Sequence, residues 1–140
     1  MQIKGHDPEF TSIKKGQEIV CKENKCKYVA INKFGDKIVK HKIDGHIFKD
    51  NITERCDFLL INCNQYNAYL IELKGTKFNK GISQLKTTYE LLKPELKNYK
   101  IHFRLIVTGF NTHKISSSEI LELKKLYRFK HKSTEMHEDI

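Results

Sequence analysis

The sequence lacks any long hydrophobic run. A membrane-spanning helix needs roughly 20 consecutive apolar residues, and no stretch of the 140 residues approaches that length. Residues 1–7 also lack the apolar segment of a signal peptide. We therefore expect one domain spanning residues 1–140, located in the cytoplasm and without a membrane partner.

The four cysteines lack the close spacing that is common in structural zinc sites. Four residues separate Cys21 from Cys26, and six separate Cys56 from Cys63. Both spacings are looser than the usual zinc pattern, so we favour thiols that bind no metal. A small zinc-stabilised interaction module is the alternative interpretation.

Acidic residues are few relative to basic ones. The chain has 26 Lys and Arg residues against 17 Asp and Glu residues, a net charge of +9 that is spread along the sequence. This balance favours polyanionic partners, because lysines that contact phosphates release counterions. A genome with AT-rich codons also favours lysine. The charge therefore indicates a class of partner, but it does not indicate which reaction the protein catalyses.

Charged residues interrupt two apolar runs near the middle of the chain. The runs 57–62 and 68–75 are separated by a polar segment, a pattern that predicts an antiparallel hairpin. Side chains alternate across a strand, so Glu72 and Lys74 are expected on one face. A carboxylate in so apolar a strand requires a cationic partner, and a divalent metal ion is the simplest one.

The segments before this hairpin have strand character. Residues 1–16 are polar and basic, and we expect them to form an extended arm. Residues 19–21 and 26–32 are apolar runs around a polar turn, and 38–43 alternates in polarity after a second turn. A hairpin between 26–32 and 38–43 is the natural interpretation.

The segments after the hairpin have helical and strand patterns in turn. Apolar residues recur at spacings of three and four between Ile82 and Leu96, which predicts a helix from about Lys80 to Tyr99 that Pro94 kinks or ends. Residues 101–108 predict a buried strand, 116–129 a serine-capped helix, and 131–140 a frayed, flexible tail. The order predicts an α/β fold with a mixed β-sheet flanked by helices.

The central residues resemble a known nuclease superfamily. Asp57, then Glu72-Leu73-Lys74 in a neighbouring strand 15 residues later, then a helix with Gln84, is similar to the core of the PD-(D/E)XK nucleases. The resemblance covers about residues 44–109. It implies a restriction-endonuclease-like fold, with a catalytic group made of Asp57, Glu72, Lys74 and Gln84.

The resemblance also implies a cofactor. Mg²⁺, with Mn²⁺ as its substitute, would be bound by Asp57, Glu72 and the backbone carbonyl of Leu73. Lys74 would orient the attacking water or offset phosphate charge. Further acids that such sites recruit are secondary candidates here: Asp44, Glu18 and Glu54.

Three more residues are candidate nucleic-acid contacts. Lys77 and Lys80 follow the motif directly and are expected to contact phosphates, while Tyr89 resembles the tyrosine of one branch of the superfamily. The sequence thus predicts a metal-dependent endonuclease that acts on DNA in preference to RNA, as a homodimer or as a subunit of a larger complex. The alternative is a non-catalytic nucleic-acid-binding or complex-assembly subunit on the same fold.

Each site residue also has a purely structural interpretation. Asp57 is at a position where an acid can cap a turn, and Glu72 with Lys74 can form an exposed charge pair on an edge strand. Gln84 lies at the margin of the apolar stripe, where a solvated glutamine is common. Asp44 and Glu54 lie in segments with turn character, where acids occur often.

Overall fold

The computed structural model describes residues 6–23, 25–43, 55–74, 77–108 and 116–140, and for Lys74 it describes the backbone. Within these residues the chain forms strands and helices in the following order: β1 Phe10–Ser12, β2 Glu18–Glu23, β3 Cys26–Ile31, β4 Ile38–Lys42, β5 Phe58–Asn62, β6 Asn67–Lys74, α1 Phe78–Leu92, β7 Lys100–Val107, α2 Ser117–Tyr127, β8 Lys130–Ser133 and β9 Glu135–Asp139.

A mixed sheet of six strands forms the centre of the described structure, in the order β1-β4-β5-β6-β7-β8. The predicted hairpin is confirmed, because β5 and β6 pair antiparallel with Phe58 opposite Ile71. Helix α1 then carries the chain back so that β7 runs parallel to β6, with Glu72 opposite Leu105. This crossover places the end of β6 beside the start of α1.

Both helices pack on one face of this sheet. Apolar side chains of α1 and Leu123 of α2 share a core with the β-strand residues Leu59, Leu70 and Phe103. Helix α1 ends at Leu92, two residues before Pro94, because proline cannot donate to the preceding turn. The capping prediction for α2 is confirmed as well, since the amide of Glu119 donates to Oγ of Ser116.

A second sheet covers the opposite face. Its order is β2-β3-β9, with β9 parallel to β3. Ile19, Tyr28 and Met136 from this small sheet pack against Phe58 and Ile71 of the large one. The prediction of an α/β fold with a mixed sheet is confirmed. In the described part of the chain, the helices flank one face of the large sheet, and the small sheet covers the other face.

The predicted hairpin between 26–32 and 38–43 is wrong. Strands β3 and β4 belong to different sheets, and the turn between them is held by Asn32. Its amide nitrogen donates to the carbonyl of Asp36 and to Oγ of Ser12, and its side-chain oxygen accepts from the amide of Asp36. The chain therefore crosses from one sheet to the other at this turn.

The two chain ends also differ from expectation. Within the predicted arm 1–16, residues Phe10–Ser12 form β1 and pair with β4. The predicted frayed tail 131–140 is wrong, because this segment supplies most of β8 and all of β9. Its charged sequence concealed that Met136 and Ile140 are buried. No helix in the described part of the chain is long and apolar enough to cross a membrane.

Candidate functional site

Asp57 lies directly beside Glu72 in the β5–β6 hairpin. The amide of Asp57 donates to the carbonyl of Ile71 at 3.1 Å, and one carboxylate oxygen of Asp57, Oδ2, accepts from the amide of Leu73 at 2.8 Å. That amide belongs to the peptide bond that joins Glu72 to Leu73. The hairpin therefore brings the two predicted acids to adjacent positions at one end of the strand pair.

Glu72 is buried beneath helix α1, with 1% of its surface exposed. Gly81 makes this packing possible, because a Cβ atom there would lie 3.6 Å from Cγ of Glu72 and 2.6 Å from Cδ1 of Leu105. Real Cβ atoms do not approach other atoms as closely as the second distance, so a side chain at position 81 would force the end of the Leu105 side chain to move. A glycine within a helical pattern signals such a close approach, and that signal identifies Gly81 in the sequence.

The two carboxylates influence cysteines in both cores. Burial raises the pKa of Cys56 well above its ordinary value. The charge of Glu72 adds to this effect, a hydrogen bond with Thr88 opposes it, and the charge of Asp57 adds to it again. Burial also raises the pKa of Cys26, with Asp57 and then Glu72 adding to it. Cys56 lies in the helix-side core and Cys26 in the core between the sheets. Both thiols therefore stay protonated at neutral pH.

Helix α1 also holds the segment that leads into β5. The side-chain amide of Gln84 donates to the carbonyl of Arg55 at 3.2 Å, and the amide of Cys56 donates to Oγ1 of Thr88 at 2.7 Å. Thr88 in turn donates to the carbonyl of Gln84 at 2.8 Å. Gln84 thus contacts the segment that leads to Asp57. Sequence reasoning missed Thr88, because a threonine inside a helix carries no signal for such a contact.

The oxygen of the Gln84 side chain is buried and accepts no hydrogen bond from the residues that the structure describes. It belongs to the same side chain that reaches Arg55, two residues before Asp57. A buried amide oxygen is costly to leave without a donor. Gln84 therefore has an acceptor available close to the segment that leads into β5.

The basic candidates lie at the end of β6 and the start of α1. Lys74 is the last residue of β6, two positions beyond Glu72, and its side chain is outside the described part of the structure. Lys77 immediately precedes α1, and both Lys77 and Lys80 are exposed. These two lysines are therefore accessible to a ligand near the acid pair.

Glu18 and Tyr89, two other candidates, have surroundings of their own. Glu18 is exposed at the start of β2, on the outer side of the small sheet, and that sheet covers the face opposite α1. Tyr89 packs with Phe103 and Tyr127, at ring-centroid distances of 6.3 and 5.7 Å. It follows Gly81 by eight residues, about 12 Å along the helix. Asp44 and Glu54 lie outside the described residues.

The donors at this site suit magnesium better than zinc. The side chains of Asp57 and Glu72 and the backbone carbonyl of Leu73 carry hard oxygen atoms, and Mg²⁺ binds through one or two carboxylates and retains several waters. Among the described residues, no group of three or more His, Cys, Asp or Glu side chains is arranged to hold a metal. The cysteines are dispersed, with Cys21 and Cys26 in one core, Cys56 in the other and Cys63 half-buried.

Comparisons with known proteins add no relatives. No protein-family model matches the chain, and neither the curated proteins nor the solved structures contain a significant match. The proposals for this protein therefore depend on its own residues and geometry.

Proposed function

We propose that this protein is a magnesium-dependent nuclease of the PD-(D/E)XK type, which hydrolyses phosphodiester bonds, in DNA in preference to RNA. One observation carries the proposal. The carboxylate of Asp57 binds the amide of Leu73 at 2.8 Å and so lies against the peptide that follows Glu72. The acid that precedes β5 and the acid within β6 thereby meet next to Lys74.

The order of the surrounding elements supports the same proposal. The strand after Asp57 pairs antiparallel with the strand that carries Glu72 and Lys74, and a helix then leads to a strand parallel to the second. This order resembles a restriction-endonuclease-like core of mixed strands. Gln84 on the intervening helix reaches the segment before Asp57.

The chain's own residues have distinct roles in this proposal. Asp57, Glu72 and the carbonyl of Leu73 would hold the metal ion, which when bound supplies positive charge to the phosphate and makes water a better nucleophile. Lys74 orients that water or offsets charge on the phosphate. The burial of Glu72 keeps its carboxylate in a fixed position, as a preorganised site requires.

The surface charge supports a nucleic-acid substrate. A net charge of +9 attracts a polyanion, and the exposed Lys77 and Lys80 beside the site suit contacts with phosphates. Two active sites in a homodimer would serve the two strands of a duplex, so a dimer, or a subunit of a larger complex, is part of the proposal.

Cleavage assays test the proposal. Purified protein is incubated with supercoiled plasmid, single-stranded DNA and RNA in Mg²⁺ or Mn²⁺. We expect cutting of DNA, abolished by Glu72→Gln and Asp57→Asn, and slowed about 10²- to 10⁴-fold by Lys74→Ala because a group that assists proton transfer is lost. Mn²⁺ binding measured by calorimetry without DNA should weaken in Glu72→Gln and Asp57→Asn.

Matched variants distinguish the site from general damage. Glu122→Gln removes an exposed acid on α2 and should cleave like the wild type, with thermal unfolding of every variant followed as a check on folding. The nuclease proposal fails if the wild type cuts no nucleic acid with either metal. It also fails if Glu72→Gln is as active as Glu122→Gln.

The second candidate is a non-catalytic nucleic-acid-binding or assembly subunit on this fold. The excess of basic residues favours it, because charge alone supports binding without cleavage. Salt-dependent DNA binding, with no heat of metal binding, would select this candidate over the nuclease.

A further inference from the structure

A surface rich in lysine and aromatic rings lies at the other end of the β5–β6 hairpin from Asp57 and Glu72. It consists of three segments, residues 33–37, 63–66 and 97–100, which we call the loop platform. Tyr66 precedes Glu72 by six residues, which is about 20 Å along an extended strand. The loop platform is therefore separate from the acid pair.

Tyr66 exposes its ring from a strained backbone position. Its φ angle is +57°, a region that bulky residues rarely adopt and that costs roughly 1–2 kcal/mol. The side chain is 56% exposed, and its ring lies 5.6 Å from the ring of Tyr99. Glycine would adopt this turn without strain, so the turn itself gives no reason for an aromatic residue here.

Phe34 provides a second exposed ring on the neighbouring loop. It is 64% exposed, and the Nζ atom of Lys33 lies 5.4 Å from its ring centroid. A large apolar ring in water is unfavourable, and burial against a ligand would recover part of that free energy. Phe34 and Tyr66 thus offer two accessible aromatic faces.

Hydrogen bonds hold the two loops together. One carboxylate oxygen of Asp36, Oδ2, accepts from the side-chain amides of Asn62 at 3.0 Å and Gln65 at 2.6 Å. The amide of Lys37 donates to Oδ1 of Asn64 at 2.7 Å. The amide of residue 100 donates to the carbonyl of Tyr66 at 2.8 Å, which joins the third segment. These hydrogen bonds therefore keep the segments that carry the two rings next to each other.

The charge of the loop platform is strongly positive. Its three segments contain four lysines and one acid, and that acid, Asp36, is occupied by the two amide donors. All four lysines are exposed: Lys33, Lys37, Lys97 and Lys100. Exposed rings surrounded by lysines suit a ligand that carries both flat apolar groups and regular negative charge.

We propose that the loop platform binds single-stranded nucleic acid. Unpaired bases stack on Tyr66 and Phe34, and the lysines contact the phosphates that link them. A duplex keeps its base faces stacked inside, so it can use the lysines but not the rings. An anionic membrane also attracts lysines and aromatic side chains, but the separate ring faces suit stacking better than insertion into lipid. This inference goes beyond the nuclease proposal and does not depend on it.

Binding measured in a metal chelator tests the proposal without any cleavage. The probe is a fluorescently labelled single-stranded oligonucleotide, titrated by anisotropy at several salt concentrations. Tyr66→Ala and Phe34→Ala should each weaken binding roughly tenfold, since one stacked base is lost. The double variant Lys33→Ala/Lys37→Ala should lower the slope of log K against log salt by about 0.7 per lysine.

Several controls separate stacking from loss of structure. Tyr66→Gly removes the ring and relieves the strain, so it should unfold no more easily than the wild type yet bind as weakly as Tyr66→Ala. Leu121→Ala and Lys125→Ala change exposed residues on α2 and should bind like the wild type.

Three results would overturn the proposal. One is equal affinity of wild type, Tyr66→Ala and Phe34→Ala for the single strand. Another is a duplex of the same sequence that binds as tightly and loses as much affinity in the ring variants. The third is a loss of binding to vesicles of anionic phospholipid in Tyr66→Ala, with oligonucleotide binding unchanged, which would assign the loop platform to a membrane surface.

Discussion

Both faces of the six-stranded sheet bury an apolar core, and the strand side also contains an ion pair. The helix side is an apolar core in which Gly81 lets α1 approach Glu72 and Leu105 closely. The strand side contains a largely buried ion pair, in which Nε of the buried Arg104 lies 2.6 Å from Oε1 of Glu138. Close packing at Gly81 therefore distinguishes the helix side, and charge pairing distinguishes the strand side.

The ion pair on the strand side has several partners. Glu138 also accepts a hydrogen bond from the hydroxyl of Tyr28 at 2.6 Å, and Arg104 donates to the carbonyl of Arg128 at 2.6 Å. Burial by itself raises the pKa of Glu138, but Arg104 and the Tyr28 hydroxyl outweigh burial and hold the pKa below its usual value. Glu138 therefore joins β9 to β3 and β7 as a charged group.

Breaking the ion pair between Arg104 and Glu138 is expected to cause the largest loss of unfolding free energy. Glu138→Ala leaves Arg104 buried without its carboxylate, and removal of one member of a buried pair costs about 3–5 kcal/mol of unfolding free energy. Urea denaturation measures the loss. Glu135→Ala is the matched control in the same strand, because Glu135 is exposed and paired with the exposed Lys27. A loss of similar size in both variants would contradict the difference between the two faces.

Adding a methyl group at position 81 tests how closely α1 packs on the sheet. Gly81→Ala places Cβ against Leu105, and overpacking costs about 1–3 kcal/mol, partly offset by a gain of about 1 kcal/mol in helix propensity. We expect a net loss in urea denaturation, recovered in part by Leu105→Val, which removes the contacting atoms. Lys86→Ala, at an exposed position of α1, should change little. A more stable Gly81→Ala protein would show that the helix has room at this point.

Acid is expected to lower the stability of the fold by a smaller amount, which grows as the pH falls. His102 stacks on Tyr69 with ring centroids 4.3 Å apart, and burial, aided by Arg104 and Arg128, lowers its pKa from 6.5 to about 4. The unfolded chain therefore binds a proton on His102 at higher pH than the folded chain. Stability contributed by this neutral histidine is complete above pH 6.5 and falls between pH 6.5 and about pH 4.

Thermal unfolding across this pH range checks the prediction. His102→Phe preserves the stacked ring and should flatten the decline of the melting temperature between pH 6.5 and 4. Lys125→Gln, at an exposed position of α2, should leave the decline as it is in the wild type. An unchanged decline in His102→Phe would exclude this histidine as its source.

Much of the helix side could be predicted from the sequence. The hairpin, α1, β7 and the Ser116 cap depend on local signals such as alternation, spacing of three and four, and capping residues. Asp57 and Glu72 meet because a hairpin has one register that buries its apolar face. The contacts of Gln84 and Thr88 with residues 55–56 required the crossover of the chain, which no local pattern specifies.

The strand side could not be predicted in the same way. The tail 131–140 is charged and has few apolar residues, so local rules predict fraying. The tail forms strands because Glu138 pairs with Arg104, which lies 34 residues earlier in the chain, and because β9 pairs with β3. Such contacts depend on which distant segments meet, and a local pattern contains no information about that.

The sequence by itself determined the hairpin, the helix after it and the pair of acids, because each depends on neighbouring residues in the chain. The tertiary structure alone decided that both helices share one face, that the charged tail forms strands, and that Phe34 and Tyr66 lie on loops bonded to each other. The physical reason is that burial and hydrogen bonding between distant segments can outweigh the weak preferences of single residues.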